Sequence, residues 1–322
     1  MRVSIITPYY YGRKYMQDYI KMIIKNAVEL GADDSIEAII VNDSPRDNFS
    51  LDELSDIATE LLKSKFKVSL NAKDNIMKVR YDGATVQFRL INNEENVGIH
   101  MSRIRGLDVS TGDYIIFLDQ DDLLGKSAIK TYIEHANYSD EVLVGNAALG
   151  QRVGYLKWYR RTYHTRKISD INCYVNVGIQ IISPGHTCIY KQAIPKEWTE
   201  YICTYNGADD YFLWLLMLSK GVKFKYIDKV LYLHRYTGSN LSADTTVTDA
   251  STMEFCNFLK EIDYFPDEYI DKLRKMIEYK ATFRVASKGD KIYYSMKNWK
   301  LLSNNIGYKI MTGTPLGFNR EV

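Results

Sequence analysis

Cysteine is scarce in this chain. Cys173, Cys188, Cys203 and Cys256 are the only four among 322 residues, widely spaced and without a Cys-x-x-Cys pair. A chain of this length needs no disulfide staples, so buried thiols in a reducing compartment are expected. Long apolar runs are also missing: no window approaches the roughly 20 residues that a spanning helix requires. The first residues enter a strand at once, Val3 to Thr7, with no basic and apolar leader pattern. A cytoplasmic setting is expected, with peripheral contact at the inner face of the plasma membrane as the one extension of it. Charge of one sign is not in excess either. The net charge is +2, which implies no nucleic-acid partner. Repeats and low-complexity stretches are absent.

What is present is ordinary for a globular protein: 46% apolar and 25% charged residues, with 26 tyrosines. The length suits one large domain and a smaller extension. The most informative stretch is Gly112-Asp113-Tyr114-Ile115-Ile116-Phe117-Leu118-Asp119-Gln120-Asp121-Asp122. Tyr114 to Leu118 reads as a strand buried on both faces, as in parallel sheets. It ends in three acids within four positions, and carboxylates force the chain to the surface. Asp119 and Asp121 flank one residue, so a turn can aim both at one hard cation, Mg²⁺ or Mn²⁺. A solvated acidic turn carries the same pattern.

Before this stretch the chain alternates strand and helix. Val3 to Thr7 is a strand, Tyr15 to Leu30 an amphipathic helix, Ile36 to Val41 a strand and Leu51 to Leu62 a helix. Residues from about 64 to 87, with Asp82-Gly83, read as a β-hairpin insertion. Phe88 to Ile91 resumes the sheet, and a helix runs from about Ile99 to Val109. This alternation predicts an α/β fold, a doubly wound and mainly parallel sheet with helices on both faces. Right-handed crossovers then bring the polar strand ends after Thr7, Val41 and Leu118 to one edge, where α/β proteins bind ligands.

Five motifs carry a family resemblance: Ile6-Thr7-Pro8-Tyr9-Tyr10, Val41-Asn42-Asp43-Ser44, Asn96-x-Gly98 with Arg103, Gly112-Asp113-Tyr114, and Leu118-Asp119-Gln120-Asp121-Asp122. In this order and spacing they resemble glycosyltransferase family 2 over roughly residues 1–240. The resemblance implies a GT-A fold and an inverting enzyme that takes a nucleotide-sugar donor. It places Thr7, Pro8, Tyr10, Asp43, Asn96, Arg103, Asp119 and Gln120 around the nucleotide-sugar, with Asp43 on the base. It makes Asp119 and Asp121 the Asp-x-Asp pair. The sequence departs from the family at Tyr11, where Asn is usual, at Asn42, which replaces an Asp, and at Ile104, which replaces an Asn.

In the second half, Val142 to Asn146 is a strand, and Ile179 to Tyr190 reads as strand, turn and strand. His186 reads as an acceptor-side residue or as a hydrogen-bonded structural histidine. Asp209 and Asp210 precede the apolar helix that contains Trp214, a further acceptor-side candidate. Helix capping explains such acids. An inverting transfer, however, needs one carboxylate as general base, and the resemblance implies Asp210, with Asp209 as the alternate. The stretch Val230 to Ser239 resembles the family's closing strand, and His234 is a candidate third metal ligand there.

From 269 to 320 eleven basic residues face three acids, with Tyr293, Tyr294 and Trp299 between them. An anionic membrane surface, a helical cap and a dimer contact all fit this composition. The expected organisation is a catalytic domain over 1–242 and a helical basic extension over 243–322. The expected function is metal-dependent transfer of sugar from a nucleotide-sugar, with UDP the first choice, to a hydroxyl of a glycan or lipid-linked acceptor. A sugar nucleotidyltransferase and a non-catalytic nucleotide-sugar-binding protein are the alternatives.

Overall fold

The computed structural model describes residues 1–62, 66–81, 84–150, 155–237 and 245–313. The elements begin with β1 (Arg2–Tyr9), α1 (Arg13–Ala27), β2 (Ser35–Asn42) and α2 (Leu51–Leu62). Next come β3 (Phe66–Asn71), β4 (Ile76–Tyr81), β5 (Ala84–Asn92), α3 (Gly98–Val109) and β6 (Tyr114–Phe117). They continue as β7 (Leu123–Leu124), α4 (Ala128–His135), β8 (Glu141–Gly150), β9 (Tyr155–Lys157), α5 (Thr162–Arg166) and α6 (Ile171–Asn176). Then follow β10 (Thr187–Tyr190), α7 (Lys196–Glu200), α8 (Asp209–Ser219) and β11 (Lys223–Arg235). The last helices are α9 (Thr245–Leu259), α10 (Asp267–Val285), α11 (Lys288–Lys297) and α12 (Trp299–Thr312).

The chain divides into two compact units that interleave along the sequence. The first comprises Met1–Trp158, Ser183–Ile194 and Lys225–Thr237; the second comprises Tyr159–Ile182, Pro195–Phe224 and Gly238–Val322.

The first unit is built on one mixed sheet of order β3-β4-β5-β2-β1-β6-β10-β8-β11-β7, with β9 beside β8. Its centre, β5-β2-β1-β6, is parallel, and the flanking strands are antiparallel. Val3, Ile5 and Ile6 of β1, Ile39 and Ile40 of β2 and all four residues of β6 are fully buried. β-branched and aromatic runs of this kind suit a strand covered on both faces. β3 and β4 form an antiparallel hairpin, and β4 continues onto β5, so the pair extends the sheet edge. The Asp82-Gly83 turn lies outside the described residues.

Two glycines let the layers meet closely. A Cβ on Gly106 of α3 would lie 2.3 Å from Ile6 Cγ2, so the helix rests directly on β1. A Cβ on Gly112 would lie 2.6 Å from the Ser4 amide nitrogen. The same corner holds a buried carboxylate, Glu37, which accepts from Ser4 Oγ at 2.8 Å and from the Thr111 amide at 2.9 Å. Buried charges persist only with such partners.

The expected strand at Ile179–Ser183 does not form. Ile181 is buried there without a sheet partner, and Gln180 satisfies the local backbone by donating Nε2 to Gly178 O at 2.6 Å. Only Thr187–Tyr190 of that stretch joins the sheet.

The second unit is helical. α8 is buried along nearly its whole length, and α9 stacks Phe255 on Phe212 with centroids 5.5 Å apart. All four cysteines are buried thiols. Among the described residues no helix is long and apolar enough to cross a membrane.

Candidate active site

The carboxyl ends of the four parallel strands emerge side by side. The Asp43 amide donates to Tyr9 O at 2.8 Å, Asn93 N to Asn42 O at 2.9 Å and Leu118 N to Ile6 O at 2.9 Å. Each strand thus carries its neighbour's ladder one residue further before turning out. A polar cleft of about 320 Å³ opens here, lined by Asn42, Asp47, Phe49, Asn92 and Asn93 among others.

The turn after β1 is clasped from two sides. Gln120 accepts from the Tyr10 amide at 2.9 Å and donates to Tyr10 O at 3.0 Å, like an extra strand residue. A Cβ on Gly12 would come within 1.8 Å of Gln120 Oε1, so this clasp requires glycine at 12. Tyr11 has φ of 45°, a left-handed backbone costly for an aromatic residue, and its amide donates to Ser44 Oγ at 2.8 Å. Asn tolerates that conformation better, which gives the family's usual Asn a physical reason. Tyr10 and Tyr11 are left 53% and 52% exposed, edge to face at 4.8 Å. Beneath them Tyr9 stacks on Phe49 at 4.6 Å and donates its hydroxyl to Asp47.

Asp43, expected on the nucleotide base, is held by the protein itself. Its carboxylate accepts from Asn93 Nδ2 at 2.8 Å, the Val97 amide at 2.8 Å and the Gly98 amide at 2.9 Å. The last two lie at the start of α3, where an anion also complements the helix dipole. Asn96 Oδ1 shares the Gly98 amide at 3.1 Å. One turn on, the nearly buried Arg103 reaches Asp119 Oδ1 at 2.7 Å.

Asp119 to Asp122 form a tight turn closed by Asp122 N to Asp119 O at 3.1 Å. Its three carboxylates have three different environments. Asp119 is compensated by Arg103. Asp122, buried, accepts from the Arg235 amide at 2.8 Å and bonds the Tyr232 hydroxyl, with His234 Nδ1 at 3.2 Å. Asp121 is pushed up to about 6, by burial first and then by its neighbours Asp122 and Asp119. Thr237 Oγ1 donates to Asp121 Oδ2 at 3.4 Å. Burial works against protonation of His234, but Asp122, then Asp119 and Asp121, outweigh it and raise the imidazole above its ordinary value. A metal takes neutral imidazole, so in this arrangement His234 is first a partner of Asp122. Arg235 ties the same turn to α1, bonding Asp121 O through Nε and Asp18 through Nη1 at 2.7 Å.

Among the described residues no three His, Cys, Asp or Glu side chains converge to hold a metal by themselves. A divalent ion here would have Asp121 and Asp119 as oxygen donors and would draw the remainder from ligand phosphates and water. That suits the chemistry of Mg²⁺ and Mn²⁺.

The other expected site residues have structural partners. Thr7 is buried and donates to the Tyr19 hydroxyl at 3.0 Å, while Pro8 is half-buried. His186 is buried, its Nδ1 2.9 Å from Gly145 O and its ring stacked at 5.6 Å on Tyr232. In the second unit Asp209 and Asp210 form the first turn of α8. Asp209 is buried and its carbonyl accepts from Trp198 Nε1 at 2.8 Å; Asp210 Oδ1 accepts from the Tyr211 amide at 2.8 Å. Trp214 is fully buried, edge-on to Phe224. Asp122, Tyr232, Ser44 and Gly12 received no role from the sequence. The third acid of the triplet was the one visible signal among them.

A profile described as glycosyl transferase family 2 matches residues 4–197, more than half of the chain. The chain belongs to glycosyltransferase family 2. It is similar to the glycosyltransferase GlyA of Streptococcus pneumoniae serotype 4, 22% identical over 294 residues that cover 86% of this chain and 37% of GlyA. GlyG of the same organism is 24% identical over 145 residues, 45% of this chain and 38% of GlyG. This chain therefore spans less than two fifths of the length of the curated relatives it matches.

Solved structures share the fold at low identity. S. aureus TarS in complex with UDP-GlcNAc superposes with a TM-score of 0.55 at 14% identity, covering 94% of this chain and 81% of that one. The mannosyltransferase PcManGT of Pyrobaculum calidifontis, in complex with GDP-Man and Mn²⁺, gives 0.50 at 14%, covering 97% and 84%. The fold is accordingly GT-A with additional helices. The family match stops short of Asp209, Asp210 and His234.

Proposed function

We propose that this glycosyltransferase moves a sugar, with inversion, from a UDP-sugar to a hydroxyl of a glycan or lipid-linked acceptor, with a divalent metal on the donor diphosphate. The observation that carries the reading is the acidic turn. Asp119, Asp121 and Asp122 crowd one tight turn at the carboxyl edge of the sheet, and burial with that like charge pushes Asp121 up to about 6. Asp121 and Asp119 would hold Mn²⁺ or Mg²⁺, which would supply charge neutralisation for the departing diphosphate.

The chain's own residues do the rest. Tyr10, exposed and fixed through its backbone by Gln120, offers a face for the nucleotide base. Asp43 acts by holding the Val97–Gly98 turn and, through Asn93, one lining residue of the cleft. Arg103 orients Asp119 and adds positive charge near the phosphates. Asp210, or failing it Asp209, takes the acceptor proton. Bound structures of TarS with UDP-GlcNAc and of PcManGT with GDP-Man and Mn²⁺ support a nucleotide-sugar donor and a metal.

Calorimetric titration of UDP-GlcNAc and of GDP-mannose, with and without Mn²⁺, tests the proposal. A UDP-sugar is expected to bind in the presence of metal and to lose that dependence in Asp121→Ala. Equal donor affinity with and without metal in the parent chain overturns the metal assignment. Preference for the GDP-sugar overturns the base assignment.

A further inference from the structure

Ten-residue helices are marginal in water unless packing supports them. In α11 no residue is buried, and in α12 only Thr312 is. α12 does dock by one side: the Tyr308 hydroxyl meets His164 Nε2 at 2.9 Å, and Arg161 donates to Ile310 O at 2.7 Å. The remaining surface is apolar. Of fifteen exposed large hydrophobic residues among the described residues, eight fall between Val285 and Met311, including Ile292, Met296, Trp299 and Ile306. Met296 is 73% exposed and Trp299 61%. Ile292 and Met296 share a helix face, as do Trp299, Ile306 and Ile310.

The charge on this segment selects the partner. Between 285 and 313 five lysines stand against one acid, Asp290, whose carboxylate is occupied by the Ser287 hydroxyl at 2.7 Å. That is a net +4 in a chain of net +2, so the rest of the molecule is net negative. A second copy would oppose +4 with +4, which like-charge repulsion disfavours. Protein interfaces are depleted in lysine. Lysines around exposed Ile, Met, Trp and Tyr are instead what an anionic lipid surface takes: the stems and rings enter the headgroup layer while the ammonium groups remain at the phosphates.

We infer that α11 and α12 form a docking face for an anionic lipid bilayer. The inference does not depend on the assignment of the donor site. The test is sedimentation of the full chain with vesicles of phosphatidylcholine alone or with about one quarter phosphatidylglycerol. Trp299 fluorescence, read in a Trp158→Phe background, serves as a second readout, because Trp158 is half-buried while Trp198 and Trp214 are fully buried. Binding and a blue shift are expected with the anionic vesicles only. Trp299→Ala with Ile306→Ser should weaken partitioning at least about tenfold, and Lys288→Glu with Lys291→Glu, Lys297→Glu and Lys300→Glu should abolish it. Both variants should keep the parent melting temperature. Three results overturn the inference: no binding to anionic vesicles; unchanged binding by the lysine variant; or self-association of the parent, without vesicle binding, that the same substitutions abolish.

Discussion

Arg103 Nη2 lies 2.7 Å from Asp119 Oδ1, so a helix that starts on the Asp43 carboxylate ends its first turns on the acidic loop. The guanidinium is 3% exposed, and Asp119 is open enough to rehydrate if it is lost. Arg103→Ala should therefore cost about 2–3 kcal/mol, below the full penalty for a wholly buried pair. Urea denaturation measures the loss, and donor titration on the same variant should show weakened affinity.

Gly12 and Gln120 form a second pair open to test. Gly12→Ala drives a methyl into Gln120 and should break both bonds to Tyr10, costing roughly 1–3 kcal/mol. In a double-mutant cycle, Gln120→Ala should remove most of the cost of Gly12→Ala. Additive losses would show that the clash is relieved elsewhere.

Tyr11→Asn should stabilise the chain by about 0.5–1 kcal/mol, because Asn accepts the left-handed backbone at lower cost. Thermal melts give the sign directly. A fall in stability would mean that the ring of Tyr11 is held by more than its strain.

Asp121 titrates at about 6 in the fold against 3.8 as a free side chain. The folded state therefore binds the extra proton between these values, and stability falls as pH rises from about 4 to about 6. Above pH 6 the full penalty is present, roughly 1–2 kcal/mol once partial exposure is allowed for. Asp121→Asn should raise the melting temperature at pH 7 and make no difference below pH 4. Melts across that range check both limits. Mn²⁺ with UDP should stabilise the parent and leave the Asn variant unmoved.

Asp210→Asn should retain donor affinity while kcat falls by about 10²–10⁴, as expected on losing a general base. If Asp209→Asn shows that split instead, the roles of the two acids exchange.

The parallel centre was legible because buried strands such as Val3–Thr7 and Tyr114–Leu118 are mostly β-branched or aromatic and are followed at once by Pro or Asp. Ile179–Ser183 misled for the same reason. A short apolar run between Gly178 and Pro184 reads as a strand, yet here it is buried coil, and periodicity does not separate the two. The partners of the candidate site were less visible. Tyr232 and Arg235 bond Asp122 from 110 or more positions away, and no spacing rule links them. Nor did the resemblance at Asp43 disclose that three donors of the chain itself already engage it.

The clasp of Asp122 by Tyr232 and Arg235 also bears on how the protein is made. During synthesis the acidic turn leaves the ribosome long before β11 does, and until then a carboxylate destined for the interior has no donor. Products truncated before Tyr232 would hold every parallel strand of the sheet and still lack a settled turn, which makes them natural clients for chaperones and proteases.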